Sequence, residues 1–80
     1  MYYAYVIKSV NHNYIYKGHC YDLKKRLIEH NSGMTKSIRP YLPVELIYFE
    51  AFETETEAIA KEKYFKSSAG RRYLKRKNIS

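Results

Sequence analysis

The sequence predicts a small α/β domain of the α+β type, in which a three-stranded antiparallel sheet is flanked by helices in the order ββαβαα. Two aromatic and β-branched runs near the N-terminus are separated by a short polar segment, which is typical of a hairpin. A third apolar run has the length of a strand, and the remaining segments carry the caps and periodicity of helices. The 80 residues predict a single domain spanning 1–80, which would bury roughly 60% of its unfolded surface.

The hairpin is predicted to pair a strand over 2–10 with a strand over 14–18, joined by a turn at 11–13. Side chains alternate along a strand, so the pairing register decides whether Tyr5 and Tyr16 share a face. A two-residue loop brings the two tyrosines to one side, whereas a three-residue loop separates them unless a bulge intervenes. The sequence leaves both registers open.

The corner between the second strand and the first helix is predicted at 18–21, because the pattern changes there from alternation to helical periodicity. Asp22 is a good N-cap, and the helix is predicted over about 23–31 with Leu27 and Ile28 in its apolar stripe. Lys24 and Lys25 of this helix are predicted to point into water.

Arg26 and His30 lie one helical turn apart and border the apolar stripe. An arginine beside an apolar stripe seldom lacks a partner, although a solvated side chain is the simpler alternative. The loop at 32–43 carries Lys36 and Arg39, and we expect it to be ordered, basic and directed towards phosphate, with a mobile loop as the alternative that its length allows.

The third strand is predicted over 44–52 and at the centre of the sheet, because it is apolar on both faces. Thr54 and Glu57 form a capping-box pattern, so the next helix is predicted to begin at Glu55. We expect Gly70 to end this helix. The basic segment that follows forms either a short helix or a frayed tail.

One carboxylate stands out by its position in this second helix. Ala58, Ile59 and Phe65 define the buried side of the helix, and Glu62 lies between them. A carboxylate there is costly unless it is paired or binds a cation. Glu62 is therefore either a metal ligand or a structural residue, which snorkels to water or pairs with an Arg or Tyr side chain inside the fold.

Charge and cysteine content limit the functional classes. The net charge of +7, from 15 Lys and Arg against 8 Asp and Glu, favours a polyanionic partner, with nucleic acid before a membrane surface. Solubility alone is the other explanation of such a charge. A single cysteine indicates a reducing compartment, so we expect a cytoplasmic protein. We see no membrane or targeting segment.

Several common chemistries do not fit the sequence. It contains neither a GxxxxGKS/T nor a GxGxxG phosphate loop, and its histidines and cysteine lack zinc-ligand spacing. What remains is two Tyr, an Arg, a His and one isolated Glu in a basic chain. This set suits phosphodiester hydrolysis, because Arg can clamp the phosphate, a cation on Glu can neutralise charge, and Tyr or His can orient water.

The order of short motifs resembles the GIY-YIG nuclease superfamily over nearly the whole chain. It is most similar to small single-domain bacterial members, which look like the N-terminal nuclease domain of the excision-repair subunit UvrC. The matching segments are YAY at 3–5, YKG at 16–18, DLKKRL at 22–27, HN at 30–31 and EKYFKS at 62–67. Two positions depart from the family pattern, with Tyr3 in place of Gly and Lys17 in place of Ile.

The resemblance implies a role for each residue of the candidate site. Tyr5 and Tyr16 correspond to the signature tyrosines, Arg26 to the catalytic arginine and His30 to the family's helix histidine. Glu62 corresponds to the carboxylate that binds a single Mg²⁺ or Mn²⁺.

The resemblance also implies a metal-dependent endonuclease acting on DNA, with structured or damaged DNA as a candidate substrate. The alternative is a nucleic-acid-binding module that keeps the nuclease fold without cleaving. Because we see no attached specificity domain, a protein partner is a candidate source of target choice. Contacts to nucleic acid are predicted for seven side chains: His19, Lys24, Lys25, Lys36, Arg39, Arg71 and Arg72.

Overall fold

The computed structural model describes residues 1–79, and its elements follow the predicted order ββαβαα. The strands form one antiparallel sheet in the order β2-β1-β3 and are β1 (Tyr2–Ser9), β2 (Ile15–Cys20) and β3 (Val44–Phe52). The helices are α1 (Leu23–Asn31), α2 (Glu55–Lys66) and α3 (Ser68–Arg76), with a 3₁₀ turn at Arg39–Tyr41. The predicted fold class is confirmed.

The central strand is β1, so the prediction that the third strand lies at the centre is wrong. β1 pairs with a strand on each side, and its residues Ala4, Tyr5, Val6 and Ile7 are at most 2% exposed. In β3, by contrast, Phe49 is 48% exposed. The apolar residues on both faces of β3 arise because helices cover both faces of the sheet.

The sheet separates two apolar clusters. The α1 face holds a buried cluster made of Tyr5, Ile7, Cys20, Ile38 and Val44. The opposite face, under α2 and α3, holds a second cluster made of Ala4, Val6, Phe65 and Leu74. Alternating residues of β1 thus belong to different clusters, as expected for a strand buried on both faces. No helix among residues 1–79 has the length and apolar character needed to cross a bilayer.

The hairpin register places Tyr5 and Tyr16 on the same face. Tyr5 pairs with Gly18, and Ile7 pairs with Tyr16, so even-numbered residues of β2 and odd-numbered residues of β1 face α1. The backbone N–H of Ser9 donates to the Tyr14 carbonyl oxygen at 2.9 Å and closes the turn. This register is neither of the two considered from the sequence, because Ser9 lies opposite Tyr14 and the turn spans residues 10–13. It nevertheless brings the tyrosines to one side, as the two-residue loop would have done.

Gly18 lies inside β2, so the predicted corner at 18–21 is wrong. β2 continues to Cys20, and only Tyr21 and Asp22 separate it from α1. A Cβ atom at Gly18 would lie 2.6 Å from the hydroxyl oxygen of Tyr5. The glycine is therefore required by the close approach of the tyrosine and not by a turn.

Helix α1 has the predicted bounds and cap, since the Asp22 carboxylate accepts a hydrogen bond from the Lys25 N–H at 3.1 Å. Its buried side differs from the prediction at Ile28, which is 62% exposed, whereas His30, predicted to border the apolar stripe, is 1% exposed. His30 lies three residues after Leu27 and on the same side of the helix, whereas Ile28 is rotated towards solvent.

Helix α2 begins at Glu55 with the predicted capping box, but it ends at Lys66 and not at Gly70. The Ser67 hydroxyl donates to the Tyr64 carbonyl oxygen at 2.6 Å and accepts from the Gly70 N–H at 3.1 Å. One serine therefore ends α2 and begins α3. Gly70 lies within α3, where a Cβ atom would collide with the Tyr64 carbonyl group.

Candidate active site

A buried chain of hydrogen bonds joins β1, α1 and the following loop. The Tyr5 hydroxyl and Nε2 of His30 are hydrogen-bonded at 2.7 Å, and Nδ1 of His30 and the Thr35 hydroxyl are hydrogen-bonded at 2.6 Å. Tyr5 is 2% exposed and His30 is 1% exposed. Both ring nitrogens of His30 have partners, so the orientation of the ring is fixed.

Burial sets the protonation states of these two rings. Burial raises the pKa of Tyr5 well above its usual value, and the neighbouring Tyr16 hydroxyl raises it further. Burial also lowers the pKa of His30, and the positive charge of Arg26 acts in the same direction. Tyr5 and His30 are therefore both neutral near pH 7, which suits a positioning role.

Tyr16 is the accessible tyrosine of the pair. Its ring centre lies 6.4 Å from that of Tyr5 and 5.4 Å from that of His30. It is half-buried, and within the described part of the chain no hydrogen bond engages its hydroxyl. The Tyr16 hydroxyl is thus the one that can contact water or a ligand.

Arg26 lies at the rim of the same site. Its side chain is 44% exposed, and its Nε lies 3.3 Å from Oε1 of Glu29. Together with Tyr5 and His30 it borders a cavity of about 10 Å³ between α1 and the sheet. An exposed ion pair contributes at most about 1 kcal/mol, so the guanidinium is free to turn towards an anion.

Glu62 lies on the other face of the sheet and contacts β2. Nδ1 of His19 donates to Oε1 of Glu62 at 2.6 Å, and Nζ of Lys66 donates to Oε2 at 2.7 Å. The Glu62 side chain is 18% exposed, in contrast to the fully buried Ala58 and Phe65 of the same helix. The structural partners of Glu62 are therefore a histidine and a lysine, and neither is the Arg or Tyr considered from the sequence.

Glu62 is suited to hold a cation. Burial alone would raise the pKa of its carboxyl group, but the hydrogen bonds from Lys66 and His19 outweigh burial and lower it. An ionised carboxylate is a hard oxygen ligand of the kind that Mg²⁺ prefers. Residues 1–79 contain no cluster of three or more His, Cys, Asp or Glu side chains able to hold an ion. The donor set thus fits a cation held by one carboxylate and several waters.

The two parts of the site meet at Gly18 in the edge strand β2. The Tyr5 hydroxyl lies over Gly18 on one face, where Arg26 borders the same small cavity as Tyr5. The next residue, His19, points to the other face and holds Glu62. Because β2 has a free edge, a ligand that lies along it can reach groups on both faces.

The residues predicted to contact nucleic acid fall on both faces of the sheet. Lys24 and Lys25 are exposed on α1, and Lys36 and Arg39 are exposed in the loop that follows α1. Arg71 and Arg72 are exposed on α3, which covers the opposite face. His19 is 33% exposed and bound to Glu62, so its position suits orientation of the carboxylate.

The sequence did not lead us to two residues of the candidate site, Lys66 and Thr35. Lys66 lies four residues after Glu62 in a helix, and this spacing is a signal that predicts the observed ion pair. Thr35 lies in an irregular loop, where no periodic pattern indicates that its hydroxyl reaches His30. Gly18, a glycine inside an alternating strand pattern, was a second signal, since such a glycine is typical of close approach by another group.

Comparisons with known proteins agree on one family. The family model described as the GIY-YIG catalytic domain matches residues 1–78. A UPF0213 protein of Streptococcus pyogenes serotype M3 is 43% identical over 65 residues, which cover 80% of this chain and 70% of that protein. A UPF0213 protein of Staphylococcus saprophyticus is 35% identical over 74 residues, which cover 91% of this chain and 89% of that protein. No solved structure matches the chain with statistical significance. The chain therefore belongs to the GIY-YIG family, which is a family of nucleases.

Proposed function

We propose that this protein is a metal-dependent endonuclease that hydrolyses phosphodiester bonds in DNA, with branched, nicked or damaged DNA as its preferred substrate. The observation that carries the proposal is that Tyr5 and Tyr16 lie over Gly18 of the edge strand β2, while the next residue of this strand, His19, holds Glu62 on the other face. Arg26 borders the same cavity as Tyr5. A module that only binds nucleic acid needs positive charge and has no use for a half-buried carboxylate at that edge.

In this proposal Arg26 binds the scissile phosphate and Tyr16 contacts the attacking water. The Arg26 guanidinium is exposed and can form two parallel hydrogen bonds with phosphate oxygens. The Tyr16 hydroxyl is the accessible one, and a tyrosine within hydrogen-bond reach can orient water or accept its proton. Tyr5 and His30 act as positioning residues, because both are buried and hydrogen-bonded to each other.

Glu62 would hold the cation, with His19 fixing the orientation of the carboxylate. The cation, Mg²⁺ or Mn²⁺, would supply neutralisation of the charge that develops on the phosphate. Lys66 is 53% exposed and can move away from Glu62 when a cation competes for the carboxylate. A single carboxylate binds Mg²⁺ weakly, so we expect metal affinity to rise when nucleic acid is present. We place this activity in the cytoplasm and expect a protein partner to contribute target choice.

The test is a cleavage assay with Arg26→Ala and a matched control, Arg76→Ala, which removes an exposed arginine from α3. Branched, nicked, duplex and single-stranded DNA and RNA are each incubated with Mg²⁺, with Mn²⁺ and with EDTA. We expect cleavage that requires metal, is abolished by Arg26→Ala and survives Arg76→Ala. Binding without cleavage of any substrate in either metal would contradict the proposal and favour the non-catalytic binding module.

A further inference from the structure

A basic groove lies between β2 and α3, on the face of the sheet away from Tyr5. Its volume is about 260 Å³, and its walls are formed by Ile15, Lys17, Arg71, Leu74 and Lys75. Lys17 points to this face because it is paired with Val6, which belongs to the apolar cluster under α2 and α3. Three cationic side chains therefore line one groove with an apolar floor.

The charges of this groove have no acidic partner among residues 1–79. The ion pairs in the described part of the chain use other cations, namely His19, Arg26, Lys61 and Lys66. Lys17 is half-buried, and burial is the main cause that lowers the pKa of its ammonium group. The positive charges of Arg71 and Lys66 lower this pKa further. The cationic side chains of the groove repel one another in the free protein, beside an ammonium group that is partly buried. An anion bound in the groove would reduce this repulsion.

The groove adjoins the candidate active site. Lys17 lies between Tyr16 and Gly18 in β2. Lys66, whose positive charge lowers the pKa of Lys17, donates a hydrogen bond to Glu62. Positive charge is therefore present on both sides of this junction, on Lys66 of α2 beside Glu62 and on Lys17 of β2 in the groove. The family pattern has Ile at the position of Lys17, so the motif itself does not call for this charge.

We propose that the groove formed by Lys17, Arg71 and Lys75 binds a backbone phosphate of the nucleic-acid strand whose scissile phosphate lies at Arg26. The statement that this strand is the one cleaved at Arg26 rests on the proposed nuclease function, whereas phosphate binding in the groove does not depend on it. The groove holds the strand on the far side of β2, so that the backbone crosses the sheet edge. A phosphate contact of this kind supplies affinity without sequence preference.

The test measures DNA binding in EDTA by fluorescence anisotropy over a range of salt concentrations, with short single-stranded and duplex oligonucleotides as probes. Lys17→Ile and Arg71→Ala should each weaken binding about tenfold at low salt and reduce the salt slope by about one. Lys17→Arg keeps the charge and should bind like the parent. Lys77→Ala is the matched control, because Lys77 lies over the Tyr73 ring on another side of α3, and it should leave the slope nearly unchanged.

The proposal is overturned if Lys17→Ile binds both probes like the Lys77→Ala control. It is also overturned if Lys17→Ile and Lys17→Arg weaken binding equally, because the effect would then come from packing. Thermal unfolding of each variant establishes that the binding data describe folded protein. Since EDTA excludes metal-dependent cleavage, loss of this phosphate contact and failure of the nuclease proposal are separate results.

Discussion

Tyr5 and Tyr16 are identical residues on one face of the sheet, and burial gives them different chemistry. The Tyr5 hydroxyl is enclosed and hydrogen-bonded to His30, whereas Tyr16 is only half-buried and its hydroxyl has no hydrogen bond among residues 1–79. The sequence pointed to both tyrosines without separating their roles. Burial depends on which strand lies at the centre of the sheet, and residue order alone does not reveal it.

We expect the two Tyr→Phe substitutions to have different effects. Tyr16→Phe removes an accessible hydroxyl and should abolish cleavage while the free energy of unfolding stays near that of the parent. Tyr5→Phe leaves Nε2 of His30 buried without a partner, which costs about 1–3 kcal/mol. Urea unfolding and single-turnover cleavage measure the two effects. Parental cleavage by Tyr16→Phe, or parental stability of Tyr5→Phe, would contradict these roles.

His30 should make stability depend on pH. Its pKa in the folded protein lies below the value of about 6.5 expected in the unfolded chain, so the unfolded state takes up a proton first as pH falls. The stabilisation is therefore fully present above about pH 6.5 and is lost as pH falls towards the folded-state pKa.

Urea unfolding between about pH 7 and pH 5 measures this effect above the usual range of carboxylate titration. The parent should lose stability over this interval. His30→Gln, which has no titrating ring, should lose less. Equal losses in the two proteins would show that His30 is not the group responsible.

Neighbouring residues in the sequence were sufficient to predict where α1 and α2 begin, but they did not predict the junction between α2 and α3. Asp22 and Thr54 make their hydrogen bonds within the next three residues, so the sequence predicted both caps. Gly70 looked like a helix end because glycine commonly follows one. Its actual role is to let α3 pass close to the backbone of α2 at Tyr64, and this contact is set by tertiary packing.

Gly70→Ala tests whether the close approach of α3 to the α2 backbone at Tyr64 requires a glycine. By helix propensity alone the substitution would stabilise α3 by about 1 kcal/mol. The collision of the new methyl group with the Tyr64 carbonyl should instead destabilise the protein by about 3 kcal/mol. Ala69→Gly, at an exposed position of the same helix, is the control and should cost about 1 kcal/mol. Thermal unfolding that shows a more stable Gly70→Ala variant would rule out the close crossing.

In the whole molecule, the candidate site depends on a sheet with apolar clusters on both faces and on its edge strand β2. The sequence supplied the candidate residues through the order of their motifs, and it placed Glu62 on the side of α2 that faces the sheet. It did not show that Glu62 and Arg26 belong to opposite faces of the sheet, because that depends on which face each helix packs against. The net charge of +7 is likewise shared between the α1 face and the α3 face, which suits a strand that crosses the β2 edge.

The decisive measurement is metal-dependent cleavage by Glu62→Gln, with unfolding calorimetry on the same samples. Glu55→Gln is the matched control, since Glu55 is exposed at the start of the same helix. We predict that Glu62→Gln stays folded, binds DNA in EDTA and shows no cleavage at any Mg²⁺ or Mn²⁺ concentration, while Glu55→Gln cleaves like the parent. A Glu62→Gln variant that is destabilised but still cleaves with the parental dependence on Mg²⁺ would show that Glu62 only supports the fold through His19 and Lys66, and that it does not hold the cation.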